Sequence, residues 1–140
     1  MSHIAIDPDA IRDFSFPEDV DDPTIYQLGQ IDSHLLAAIY DGQNVYFRND
    51  SGPEMPASFE IKANRRNLDL VKFGLKGWRN FKDSKGKDAE FDMQSYPVPK
   101  IGPRNGVSER CLRMLGRARI NRLAAELSSD NILSGQERRD

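Results

Sequence analysis

The chain has little of what most catalytic or metal sites are built from. It carries one cysteine, two histidines and one tryptophan in 140 residues. A lone Cys111 excludes an internal disulfide and fits a reducing compartment. It lies in a helical pattern beside Leu112 and reads as a small packed side chain. Two histidines and one cysteine cannot complete a four-ligand zinc site without carboxylates. His34, with only His3 for company, reads as a surface or satisfied polar residue. The acidic run 18–22 lacks the ligand spacing and the glycine of a calcium loop. Gly74-Leu75-Lys76-Gly77 is no phosphate loop, because no glycine-rich cradle leads into Lys-Ser or Lys-Thr. No apolar run approaches the ~18 residues of a membrane span, and the opening MSHIAIDPDAIRDF has no apolar core of a secretory signal. No nucleophile sits in a pattern with a base, and no paired carboxylates stand out. The expectation is a non-enzyme with no cofactor, no metal and no membrane partner.

What is present is charge, unevenly distributed. The net charge is only −2 and the isoelectric point about 5.7. Residues 1–60 hold twelve Asp or Glu against two Arg, a balance of −10. Residues 61–140 hold eighteen Lys or Arg against ten Asp or Glu, a balance of +8. Such halves can neutralise each other within one fold, or pair head to tail between copies or with a charged partner. The low isoelectric point makes nucleic acid an unexpected partner.

The most structured stretch is 68–91, LDLVKFGLKGWRNFKDSKGKDAEF, with the only tryptophan and three of the seven phenylalanines. Leu68, Val71, Leu75 and Trp78 are spaced by three and four, which predicts a helix over 67–78 with Asn67 as N-cap and Gly77 as its stop. Asp83-Ser84-Lys85-Gly86 then offers an Asx turn with a glycine for positive φ, so Phe81 and Phe91 are predicted on the strands of a hairpin. Trp78 and Phe81 are the expected core anchors.

Elsewhere the signals are local. Residues 1–22 read as an extended arm whose Phe14 and Phe16 dock on a partner, since Asp7-Pro8 and Phe16-Pro17 interrupt regular structure. Residues 24–31 read as a strand, Asp32 or Ser33 as the cap of a helix over 35–40 ended by Asp41-Gly42, and 45–47 and 58–62 as short strands around a loop at 49–56. Residues 95–106, with three prolines and two glycines, read as an extended connector that orders on a partner. Ser108 caps the strongest helix, 109–127, in which Leu112, Leu115, Ile120, Leu123, Ala124 and Leu127 share a face. Gly116 lowers its local propensity by about 1 kcal/mol relative to alanine, and residues 130–140 read as a fraying tail with a short turn. The fold class is α+β: a small mixed single domain with a short antiparallel sheet or hairpin, a central short helix, a C-terminal amphipathic helix and extended arms. Its parts are an arm at 1–22, a core at 23–94, a Pro/Gly connector at 95–107, and a helix and tail at 108–140. Arg110, Arg113, Arg117, Arg119 and Arg122 crowd the last helix. Arg110, Arg113, Arg117 and Arg122, with Phe14 and Phe16, are the candidate interface, the arginines expected to meet carboxylates of residues 1–60 on another subunit or carboxylates of an adjacent protein of the same assembly. The rival reading has these arginines tracking a phosphate backbone.

Three segments together resemble small proteins encoded in the structural-gene clusters of tailed bacteriophages. They are Asp22-Pro23-Thr24-Ile25-Tyr26-Gln27-Leu28; Val71 to Phe81 with its Gly74-Leu75-Lys76-Gly77-Trp78-Arg79-Asn80-Phe81 core; and Asp83-Ser84-Lys85-Gly86 with Phe91, followed by the terminal helix and Asn131-Ile132-Leu133-Ser134 with Glu137. The resemblance implies a virion component or assembly factor acting in tail or head–tail morphogenesis, located in the virion or in the host cytoplasm during assembly. Its implied partners are other phage structural proteins of the tail, the head–tail joint or the tape measure, with a homo-oligomer as the working state. It also implies an alternative, a chaperone that binds the tape measure and is absent from the finished particle. The basic last helix and the proline-rich 95–106 depart from that pattern and favour a subunit bridging neighbours.

Overall fold

The computed structural model describes the backbone of residues 10–48 and 55–137 and the side chains of residues 10–40 and 63–129. In chain order the elements are β1 (Ile11–Phe14), β2 (Ile25–Gly29), α1 (Ser33–Arg48), α2 (Met55–Gly74), β3 (Leu75–Arg79), β4 (Met93–Val98), β5 (Gly102–Val107) and α3 (Glu109–Glu137). This is an α+β fold with two antiparallel sheets, β1-β2-β3 and β4-β5. None of its described helices is long and apolar enough to cross a membrane.

Alternation builds the larger sheet. Tyr26 and Leu28 of β2 and Trp78 and Leu75 of β3 are buried and paired, Tyr26 with Trp78 and Leu28 with Leu75 across a bulge at Gln27/Leu28. One face of the sheet therefore closes on Leu70, Val71, Leu115, Leu123 and Leu127 of α2 and α3. Gly74 ends α2 where α3 passes: a Cβ there would lie 2.6 Å from Leu127 Cδ2. The smaller sheet rests on α2, with Gly106 so close that a Cβ would come within 2.7 Å of the Lys72 carbonyl.

Several local expectations hold. The strand at 24–31 is β2. Asp32 caps α1 through the His34 amide at 3.0 Å, and Leu36 N donates to its carbonyl. Asp83 Oδ1 accepts from the amides of Lys85 and Lys87, with Gly86 at φ 80. The Ser108 hydroxyl accepts from Cys111 N at 3.2 Å, and Cys111 is fully buried.

Other expectations are corrected. The helix expected over 67–78 stops at Gly74, and Asn67 lies inside α2 rather than at its cap. Leu75 and Trp78 are strand residues, and Gly77 sits in β3 against the Gln27 side chain instead of ending a helix. Spacings of three and four over four apolar positions do not exclude a strand once β2 offers its edge. The strand expected at 58–62 belongs to α2 and the one at 45–47 to α1, which runs on through Asp41-Gly42 to Arg48. Alternation over three to five residues is too short to set a period against neighbouring helix formers. Of the loop expected at 49–56, Met55 and Pro56 open α2, the proline in the first turn where its missing N–H costs nothing, and 49–54 lie outside the described residues. The 83–86 turn is flanked by one bridge, Lys82 with Asp88, rather than by strands.

The connector at 95–107 is a hairpin. Pro97 stands opposite Pro103, a non-hydrogen-bonded pair where the ladder needs no donor from either position, so the missing N–H of each proline costs the sheet no bond. Within the arm at 1–22, β1 pairs with β2 in register, Phe14 opposite Tyr26, while residues 1–9 lie outside the described residues. Helix α3 extends past 127 to Glu137, so the tail expected to turn and fray at 130–137 is helical. Gly116, at φ 81 and ψ 161, breaks α3 into two helical pieces across a kink.

Candidate interaction surface

Two segments far apart in sequence meet where β2 begins and β3 ends. Ile25 pairs with Arg79, so Asp22-Pro23-Thr24 runs beside Asn80. Asn80 Nδ2 donates to the carbonyls of Asp22 (2.7 Å) and Pro23 (3.2 Å), and Thr24 Oγ1 donates to the Asn80 carbonyl at 2.9 Å. Both partners hold positive φ, 51° at Asp22 and 57° at Asn80. Non-glycine residues reach that region at a cost, least for Asn and Asp. Asp19 Oδ2 completes the frame by accepting from Thr24 N at 3.1 Å, and Asp19 N donates to the Phe16 carbonyl. The loop between β1 and β2 is thereby fixed at both ends with Val20 at its tip, 76% exposed beside the exposed Asp21 and Asp22.

Aromatic and arginine side chains hold the loop's other flank. Phe14 meets Phe16 edge-on, Phe16 packs on Tyr26, and Tyr26 on Phe81. Arg119 lies 5.5 Å over Phe81 and Arg122 4.0 Å over Phe16. Arg122 also grips the Glu18 carboxylate with both terminal nitrogens, one of them at 3.0 Å. That bidentate grip holds the Glu18 carboxyl down to about 2, well below the usual carboxylate range, and raises the Arg122 guanidinium in turn. Arg12 pairs with Glu126, and Arg79 with Asp13 at 2.6 Å. Burial pushes the Tyr26 phenol up.

A second polar cluster ties the segment before β4 to the start of α3. Asp92 accepts from the Ser108 hydroxyl, lies 3.3 Å from Cys111 Sγ and 3.2 Å from Arg110 Nη2. Arg110 also donates to the Glu90 carbonyl at 3.1 Å. Hydrogen bonds from Ser108 and Cys111, then from Arg110, hold the Asp92 carboxyl below its ordinary range. With the Ser108 hydroxyl donating to Asp92 while accepting from Cys111 N, serine, thiol and carboxylate are joined in a helix cap.

The predicted site residues are therefore dispersed. Phe14 and Phe16 dock half-buried on the protein's own core. Arg122 meets a carboxylate of the acidic half, Glu18, but within the same chain, and Arg110 meets Asp92. Arg113 stays 83% exposed with only Glu109 nearby at 4.0 Å, and Arg117 is exposed with no side-chain partner among the described residues. Trp78 and Phe81 lie in the core: Trp78 Nε1 donates to the Ala89 carbonyl at 2.8 Å, and its ring meets Phe81 and Phe91 edge-on. Sequence reasoning missed Asn80 as the organiser of the loop, although an Asn directly after a strand is a known occupant of positive φ. Comparison with protein-family models, with curated proteins and with solved structures gives no match.

Proposed function

We propose that this protein is a non-catalytic subunit of tailed-phage assembly, working through protein–protein contacts in tail or head–tail morphogenesis. One observation carries the reading. Two of the segments on which the phage resemblance rests, Asp22-Pro23-Thr24 and Trp78-Arg79-Asn80-Phe81, are bonded to each other through Asn80 and together present an exposed loop on a rigid base. Pre-ordering a surface loop lowers the entropy lost when a partner binds, which suits recognition of another protein. Phosphate tracking is less well served, because Arg110, Arg119 and Arg122 are engaged within the chain and leave Arg113 and Arg117 as the freely exposed pair among the five.

Inactivating the gene in the phage genome that carries it tests the reading. Electron microscopy of the lysate is expected to show tailless heads or unjoined heads and tails. Mass spectrometry of purified wild-type particles then separates a retained subunit from a tape-measure chaperone, which would be missing from them. Normal infectious particles from the mutant overturn the proposal.

A further inference from the structure

The internal ion pairs leave an unspent remainder of each sign. Asp13, Glu18 and Asp32 of the acidic half pair with Arg79, Arg122 and Arg104 of the basic half. Asp21 and Asp22 have no ion pair among the described residues, and Asp22 only stands in the field of Lys82, whose ammonium is bound to Asp88. On α3, Arg117 has no ion pair among the described residues and Arg113 has only its neighbour Glu109 at 4.0 Å, and both arginines are exposed. Asp21 and Asp22 lie on the β1–β2 loop and Arg113 and Arg117 on α3, and no ion pair joins the two groups among the described residues.

We propose that the β1–β2 loop of one copy docks on α3 of a second copy, with Asp21 and Asp22 against Arg113 and Arg117. The proposal rests on the reading of the chain as an assembly subunit and names its partner for the loop as the chain itself. Shape agrees with charge. Among the described residues Val20 is the most exposed large apolar side chain, and it stands at the loop tip. Gly116, between the two arginines in sequence, is exposed and open, with nothing within 4 Å of where a side chain would sit. A valine over an uncovered glycine gives the contact an apolar centre rimmed by opposite charges. Because loop and helix are different surfaces, the contact is heterologous, and repetition generates a ring or a filament rather than a closed pair.

Sedimentation velocity of the purified protein at low salt tests this. The wild type is expected to associate beyond a dimer and to dissociate as salt is raised. D21K/D22K and R113E/R117E are each expected to be folded monomers, since all four side chains are exposed and the φ of 51 at Asp22 costs a lysine there about 1 kcal/mol. Mixing the two variants is expected to restore association, because the new lysines meet the new glutamates while the untouched loop and helix still match. The milder D21N/D22N and R113Q/R117Q should each weaken association by about ten-fold or more, serving where a reversal fails to fold. A monomeric wild type, reversal variants that associate like it, or a mixture that stays monomeric overturns the self-contact. A monomeric wild type beside an assembly-defective gene knockout would assign the loop to a different virion protein. A knockout producing normal particles would strike the functional reading instead.

Discussion

Asn80 offers the sharpest test of how the exposed loop is held. Its side chain makes two bonds to backbone carbonyls of the loop, at 2.7 and 3.2 Å, and its backbone sits at φ 57. Replacing it with alanine removes both bonds and leaves a residue that tolerates that φ poorly. Each bond to a partly exposed carbonyl contributes about 0.5–1.5 kcal/mol net, and the low end applies to the longer one. Holding alanine in the left-handed region adds about 1 kcal/mol relative to asparagine. Asn80→Ala is therefore expected to cost about 2–3 kcal/mol. Asn80→Gly loses the same bonds but is at ease at that φ, so its cost should be smaller by about 1 kcal/mol. Urea denaturation gives both values from the midpoint at constant slope. The Thr24 amide, bonded to Asp19 inside the loop, should exchange faster in both variants. Equal losses for alanine and glycine would show that backbone strain plays no part. An alanine variant as stable as wild type, with Thr24 still protected, would refute the clamp altogether.

Trp78→Ala removes a large side chain that is 8% exposed, wedged between Phe81 and Phe91, and is expected to cost roughly 3–5 kcal/mol; an unchanged melting temperature would sink that assignment. Trp78→Phe, keeping the ring but leaving the Ala89 carbonyl without its donor, should fall well short of that loss. The grip of Arg122 on Glu18 predicts a pH dependence. A carboxyl held at about 2 in the folded chain against an ordinary 4.5 contributes stability that is complete above about 4.5 and is lost as pH falls towards 2. Melting temperatures followed from pH 6 down to 2 should fall less steeply in Glu18→Gln than in wild type, and identical profiles would show the pair to be inert.

Signals carried within a few residues were legible in the sequence. The Asx turn at Asp83, the Asp32 and Ser108 caps and the strand at Ile25–Gly29 are each set by side chains acting on their own backbone or by alternation long enough to count. Fold class followed from those, whereas Gly116 stood out only as a weak helix former and not as the point where α3 breaks. What the sequence left open was decided by which edge or face was available. Leu75 to Trp78 became strand because β2 presents Tyr26 and Leu28 opposite them, and the register shift at Gln27/Leu28 lets Leu75 and Trp78, three apart, both face the core. The prolines of 95–107 were compatible with a sheet only because Pro97 and Pro103 face each other across a non-bonded pair. Arg122 and Arg113 are alike in sequence, both exposed-face arginines of one helix. Folding brings Glu18 and Phe16 under one and, among the described residues, only Glu109 as an ion-pair partner to the other. Charge and hydrophobicity say which residues seek partners; only the three-dimensional path of the chain, which carries Asn80 to Asp22 across 57 intervening residues of sequence, says who the partner is.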